Sequence, residues 1–125
     1  MQFEKDLVLD LLYQIQEALK VVKKRCKFAK SEDCFFDTEE GQEKLDGICM
    51  KLIAVGESLK NIDKMTNNKL LNKYSHISWK DIKGIRDILS HHYFDLDASV
   101  IFNICQEHID ELIETIEVMI SDLNS

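Results

Sequence analysis

The chain has 125 residues, of which 45% are hydrophobic, four are glycine and none is proline. This length suits a single domain over residues 1–125, and the scarcity of helix breakers favours long helices. The net charge of −7 argues against non-specific nucleic-acid binding. No apolar run approaches the roughly 20 residues of a membrane span, and the charged start is unlike a signal peptide. We therefore expect a soluble, cytoplasmic protein with no membrane contact.

The first helix is marked by apolar residues that alternate steps of four and three. They are Val8, Leu12, Ile15, Leu19, Val22, Cys26 and Ala29. This pattern predicts a helix over about residues 4–29. Its end, residues 20–30 (KVVKKRCKFAK), holds six cations, which we interpret as a solvated helix end, with a local basic patch as the alternative. Residues 30–36 (KSEDCFF) then read as a loop.

A second apolar series predicts another long helix that ends near Asp63. Its members are Leu45, Ile48, Leu52, Val55, Leu59 and Ile62. Asp37, with Glu40 three residues later, resembles a capping box at its start. Gly56 lies inside this helix, where glycine costs about 1 kcal/mol relative to alanine, so we expect another helix to approach closely there. A short helical turn is predicted at residues 69–74.

Ser78, followed by Asp81, is the predicted cap of a third helix over residues 78–93. Asp95 or Asp97 caps a last helix over about residues 98–123. Its apolar stripe contains Phe102, Cys105, Ile109, Leu112, Ile116 and Met119 and is widened by Ile113 and Ile120. So broad a face needs more than one neighbour, and a homodimer would supply one. The predicted fold is all-α: an antiparallel four-helix bundle with an additional short helix.

The four cysteines, Cys26, Cys34, Cys49 and Cys105, form no CxxC pair, and no HExxH motif occurs. A zinc site is therefore not expected. Cys26, Cys49 and Cys105 fall on the apolar stripes. They are predicted to be small core residues of a protein in a reducing compartment.

The segment RDILSHHY, residues 86–93, contains the candidate catalytic groups. The guanidinium of Arg86 offers a planar fork for a phosphate, and the imidazole of His91 can exchange a proton near neutral pH. Together they suit RNA cleavage, in which His91 deprotonates the ribose 2′-hydroxyl and Arg86 stabilises the phosphorane. On an ideal helix the two side chains point about 140° apart, so a composite site across a two-fold axis is the geometry that unites them. The spacing alone is weak evidence, and an exposed helix end is the alternative.

The stretch ISWKDIKGIRDILSHHYFDLD, residues 77–97, resembles the signature of HepT-like proteins in the HEPN superfamily. The matching residues are Trp79, Ile82, Gly84, Arg86, His91, Tyr93 and Asp97. Upstream, LIAVGESLKNI resembles a second family segment through Gly56 and Glu57. The resemblance implies a metal-independent endoribonuclease toxin that needs no cofactor and works as a homodimer. It also implies a partner, an MntA-like nucleotidyltransferase antitoxin that transfers AMP onto the motif tyrosine, here Tyr93.

The resemblance makes Arg86 and His91 catalytic, with Asp87 and Tyr93 in support and no metal. Asp87 replaces the asparagine that is usual in close relatives; its charge would repel substrate, hold His91 charged or orient Arg86. His92 is expected to be packed or at an interface. Two alternatives stay open: a non-catalytic HEPN subunit that binds a nucleotide or serves a minimal nucleotidyltransferase, and a helical dimer that only makes protein contacts.

Overall fold

A computed structural model describes residues 4–125 of the chain. Its helices are α1 (Lys5–Cys26), α2 (Glu39–Thr66), α3 (Lys69–Asn72), α4 (Trp79–His91), α5 (Ala98–Asn103) and α6 (Ile109–Asn124). A π-helical turn (Ile104–His108) joins α5 to α6, and 3₁₀ turns lie at Glu32–Phe35 and Tyr93–Asp95. No strand occurs in these residues, so the all-α prediction is confirmed.

The bundle is built around α1 and α2, which pack against each other, while α6 packs on α1 and α4 packs on α2. Helices α1 and α6 run antiparallel. Lys23, near the end of α1, pairs with Asp110 at the start of α6, and Tyr13, earlier on α1, accepts a hydrogen bond from Asn124 at the end of α6. The apolar series of α1 and α2 predicted from the sequence are buried throughout. Burial of these stripes is the main force that holds the helices together.

The start of α2 differs by one residue from the prediction. Thr38, not Asp37, is the N-cap, and its Oγ1 accepts a hydrogen bond from the Gly41 N–H at 3.0 Å. Asp37 lies one position too early to cap, because it still belongs to the preceding turn, where its N–H donates to the Asp33 carbonyl at 3.0 Å. The helix also runs past its predicted end at Asp63, as far as Thr66.

The last helix begins as expected at Asp97, whose carboxylate accepts from the Ser99 N–H at 2.9 Å. The sequence predicted one continuous helix here but not the π-helical turn that lies within it. The broad apolar face of this helix is covered within the chain, where Ile113 and Ile120 are buried, so it does not support the homodimer, which stays a prediction. Exposed large apolar side chains lie on several elements, among them Ile88 on α4 and Val100 on α5.

The cysteine prediction needs correction. Cys26 and Cys105 are buried as expected, but they form a disulfide, with their Cα atoms 5.6 Å apart. The end of α1 packs on the π-helical turn and brings the two positions together, although 79 residues separate them along the chain. Cys49 is a free buried thiol, and burial raises its pKa to about 12. The cysteines therefore no longer support the expectation of a reducing compartment.

Candidate active site on helix α4

Helix α4 is fixed to the bundle at both ends by apolar side chains. Trp79 is buried, and its indole N–H donates to the Tyr74 carbonyl at 3.0 Å, while Leu89 is buried near the other end. Ser78 occupies the predicted N-cap position, but its hydroxyl donates to Asp81 at 2.7 Å instead of accepting from a backbone N–H. The motif residues between these anchors are thus held in a defined register against α2.

The expected close approach at Gly56 is confirmed. A Cβ at Gly56 would lie only 2.7 Å from the Cβ of Arg86. This contact places the Arg86 guanidinium beside Glu57, with Nε 3.0 Å from Oε2. Arg86 and Glu57 therefore form an ion pair but no hydrogen bond, because the buried Nε of Arg86 has no acceptor in hydrogen-bond geometry. Gly56 therefore sets the position of the candidate phosphate-binding arginine.

Asp87 completes a row of alternating charges across α2 and α4. It accepts a hydrogen bond from Arg86 Nη1 at 2.9 Å, and Lys60 Nζ lies 3.3 and 3.4 Å from its two carboxylate oxygens. The hydrogen bond from Arg86, followed by that from Lys60, lowers the pKa of Asp87. Asp87 and the charge of Glu57 in turn raise the pKa of Arg86. We call Glu57, Arg86, Asp87 and Lys60 the charge row.

His91 is the last residue of α4, and its side chain is exposed. Within residues 4–125 the structure shows no hydrogen bond or ion pair on its imidazole. Arg86 instead contacts Glu57 on α2, and His91, five residues later, lies about 140° around the helix axis from it. His92 is also exposed, so packing within its own chain was the wrong expectation, and an interface position stays a prediction.

Tyr93 does not continue α4 as predicted, because the backbone at His92 leaves the helical region with φ −129° and ψ 26°. The 3₁₀ turn that follows carries Tyr93 toward the start of α2. There its hydroxyl accepts from Gln42 Nε2 at 3.4 Å, and its half-buried ring meets Phe94 edge-on at 6.1 Å. No sequence pattern had singled out Gln42 or Lys60.

A groove of about 690 Å³ opens between α4 and the α5–α6 segment. Its apolar lining includes Ile82, Ile85, Ile88, Val100, Ile104 and Leu112. Ile88 and Val100 are exposed. Gly84 also faces this groove, and a Cβ there would meet nothing within 4 Å. Unlike Gly56, Gly84 has no steric reason inside this chain to be glycine.

The described residues contain no group of three or more His, Cys, Asp or Glu side chains placed to hold a metal ion. Nor does any helix in residues 4–125 have the length and apolar character to cross a membrane. What α4 offers is an arginine held between carboxylates and an exposed imidazole. The protein is therefore an all-helical bundle that carries an R-x₄-H segment on a surface helix.

The family model described as ribonuclease HepT-like matches residues 15–119, and the chain belongs to this HepT-like ribonuclease family. A Methanocaldococcus jannaschii protein, named as a gamma-glutamylcyclotransferase and provisionally as an RNase, is 29% identical over 113 residues, which cover 90% of this chain and 47% of that protein. A second protein from that organism, provisionally named as an RNase, is 29% identical over 90% of this chain and 86% of its own length.

A Thermococcus cleftensis protein named provisionally as ribonuclease HepT is also 29% identical, over 82% of this chain and 86% of its own. The chain thus spans about half of the first relative, which is a longer protein, and most of the other two. No solved structure matches this chain. Family and relatives together support a ribonuclease.

Proposed function

We propose that this protein is a metal-independent endoribonuclease in which Arg86 and His91 carry the reaction. His91 takes the proton from a ribose 2′-hydroxyl, the 2′-oxygen attacks phosphorus, and the 5′-oxygen leaves with a returned proton. Arg86 binds the phosphate and stabilises the charge on the phosphorane. The observation behind the proposal is that α4 carries both groups. Arg86 is held by Glu57 and Asp87, and His91 is exposed and has no hydrogen bond within residues 4–125.

The test is cleavage of a short RNA by purified, unmodified protein in EDTA, with the same sequence as DNA for comparison. We expect RNA to be cut to fragments that end in a 2′,3′-cyclic phosphate and DNA to stay intact, because DNA lacks the attacking hydroxyl. Cleavage of both substrates, or cleavage that requires a divalent metal, would contradict this mechanism.

We further propose that the active form is a homodimer in which two copies of α4 face each other. The groove beside α4 has a largely apolar lining, and two of its residues, Ile88 and Val100, are exposed to solvent, so a partner helix could cover them. Gly84 costs its helix about 1 kcal/mol relative to alanine, with no steric need within the chain. Close approach of a partner helix supplies that need, and a two-fold axis there would bring His91 of one protomer toward the other.

Gly84→Leu tests this interface, since the side chain would fill open space in a monomer but collide with a partner. We expect the variant to keep its helical circular dichroism, sediment as a monomer and lose RNA cleavage. Lys64→Leu, an exposed position on α2, is the matched control and should stay dimeric. A monomeric wild type, or a dimeric Gly84→Leu variant, would contradict the proposed interface.

Mixing two inactive variants tests whether the site is composite. Arg86→Ala and His91→Ala homodimers each lack one group in every site. If a site takes its arginine and histidine from different protomers, each mixed dimer has one intact site and one site that lacks both groups. Since half of the dimers are mixed, about one quarter of wild-type activity should return. If both groups come from one chain, no activity returns.

We also propose that the protein is the toxin of a toxin–antitoxin pair and that an MntA-like nucleotidyltransferase silences it by transferring AMP to Tyr93. The Tyr93 hydroxyl is held by one long hydrogen bond from Gln42, and the residue lies two positions after His91, where a nucleotide would obstruct the site. Co-expression with such an enzyme should add the mass of one AMP to wild type and none to Tyr93→Phe. Modification of Tyr93→Phe at the wild-type level would contradict the assignment.

A second candidate is a non-catalytic subunit that binds a nucleotide. The net charge of −7 favours it, because capture of RNA normally uses a basic groove. This candidate predicts no RNA cleavage by unmodified protein, together with nucleotide binding that isothermal titration calorimetry detects. Cleavage that depends on His91 would exclude it.

A further inference from the structure

Asp87 presents a problem for the proposed ribonuclease. Its carboxylate accepts a hydrogen bond from the same guanidinium that must bind a phosphate, and it is half-exposed, so it faces the approach of a polyanion. A lone carboxylate here would repel the substrate and compete with it for Arg86. Glu57 adds a second carboxylate on the other side of Arg86. Arg86 alone would therefore leave the site with a net negative charge.

Lys60 removes this excess. Its ammonium lies 3.3 and 3.4 Å from the two oxygens of Asp87, and its side chain is 35% exposed against 52% for Asp87. It lies on α2, three residues after Glu57, so one face of α2 supplies both outer members of the charge row. The row then holds two acids and two bases and is neutral before any substrate arrives.

We propose that Lys60 is a positioning residue of this site, an inference that rests on the proposed ribonuclease function. Lys60 neutralises Asp87 and keeps its carboxylate turned toward Arg86 Nη1, which leaves the rest of the guanidinium available to a phosphate. Lys60 acts through Asp87 and does not touch the RNA.

The α2–α4 interface contains a natural control. Lys83 on α4 pairs with Asp63 on α2, also across the two helices, but neither side chain forms an ion pair with Arg86 or Asp87 in the described residues. Removal of Lys83 deletes a lysine–aspartate pair from the same interface and leaves the charge row intact. A loss that is specific to Lys60 cannot then be a general effect of weakening the contact between α2 and α4.

The first experiment measures the pairing itself, without reference to activity. The pKa of the Asp87 carboxyl is followed by ¹³C NMR in wild type, Lys60→Met and Lys83→Met. Since Lys60 helps to lower this pKa, it should rise in Lys60→Met and stay unchanged in Lys83→Met. An unchanged pKa in Lys60→Met would overturn the proposal, whatever the activity of the protein.

The second experiment measures the consequence. For cleavage of a short RNA in EDTA, Lys60→Met should lower kcat/KM by roughly fivefold, the upper range for a half-exposed ion pair, while Lys60→Arg and Lys83→Met stay near wild type. In an Asp87→Asn background, Lys60→Met should cost less than twofold, because no carboxylate remains to be neutralised. An equal loss in both backgrounds would show that Lys60 contacts the RNA directly and would overturn the proposal.

If wild type cleaves no RNA, the ribonuclease proposal fails separately. The same variants are then compared for binding of a fluorescent RNA with 2′-deoxy substitutions. If Lys60→Met binds this RNA more weakly than wild type and Lys83→Met does not, the result supports the proposal that Lys60 helps to hold Arg86 for a phosphate. Equal binding by wild type and Lys60→Met would end it.

Discussion

The packing of α2 on α4 predicts how Gly56→Ala changes the stability of the protein. Alanine is better than glycine inside a helix by about 1 kcal/mol, so propensity alone favours the change. The new methyl, however, would lie 2.7 Å from Arg86 Cβ and 3.6 Å from the Lys83 carbonyl oxygen. Arg86 Cβ is tied to the backbone of α4 and cannot swing away, so the helices must separate. Overpacking of this kind costs about 1–3 kcal/mol.

The two contributions together leave Gly56→Ala about 0–2 kcal/mol less stable than wild type. Gly47→Ala is the matched control, because Gly47 lies in the same helix and the close neighbour of its added Cβ is the mobile end of Arg25, at 2.9 Å. There the arginine can move, and a gain of about 0.5–1 kcal/mol remains. The two variants should therefore differ by about 1–3 kcal/mol.

Urea unfolding at one protein concentration measures this difference, followed by circular dichroism at 222 nm and by the fluorescence of Trp79. Gly56→Ala should unfold at lower urea than wild type, and Gly47→Ala at higher urea. A Gly56→Ala variant as stable as Gly47→Ala would refute the argument that Gly56 is needed for the approach of α4.

Three other predictions test separate parts of the fold. Thr38→Ala should lower the free energy of unfolding by about 1 kcal/mol, whereas Asp37→Ala should change it little, and urea unfolding compares them. Thiol titration of the denatured, unreduced protein should find two of the four cysteines free; four would contradict the Cys26–Cys105 disulfide. Burial raises the pKa of Tyr74 to about 12, so the folded protein holds the phenol proton more tightly than the unfolded chain does. This contribution to the free energy of unfolding is complete below pH 10 and is lost as pH rises through 12. Absorbance at 295 nm should show a late tyrosine titration that Tyr74→Phe removes; an unchanged curve would contradict it.

The helices could be predicted because their cause is local. Apolar residues repeat with the helical period along α1, α2 and α6, and the absence of proline leaves those runs uninterrupted. The same reasoning found the special role of Gly56, since a glycine inside a strong helix needs a steric reason. The cap of α2 was missed by one residue, because Asp37 still belongs to the preceding turn and Thr38 is the extended residue next to the first helical position.

The remaining features depend on tertiary register, which no spacing in the chain reveals. Cys26 and Cys105 read as ordinary core positions until α1 and the π-helical turn are packed together. Lys60 is one of many lysines on helix surfaces, and only the approach of α4 at Gly56 places it on Asp87. Helical spacing already indicated that Arg86 and His91 point apart in one chain, but it could not show that Glu57 and Asp87 hold the guanidinium.

The central claim, that this HepT-like protein cuts RNA with His91, has one direct test. RNA cleavage in EDTA is compared for wild type, His91→Ala and His92→Ala, the last being an exposed histidine one position away. The account predicts that wild type and His92→Ala cleave RNA and that His91→Ala loses at least a hundredfold, the lower range for removal of a general base. Equal cleavage by all three proteins, or none by unmodified wild type, would contradict it.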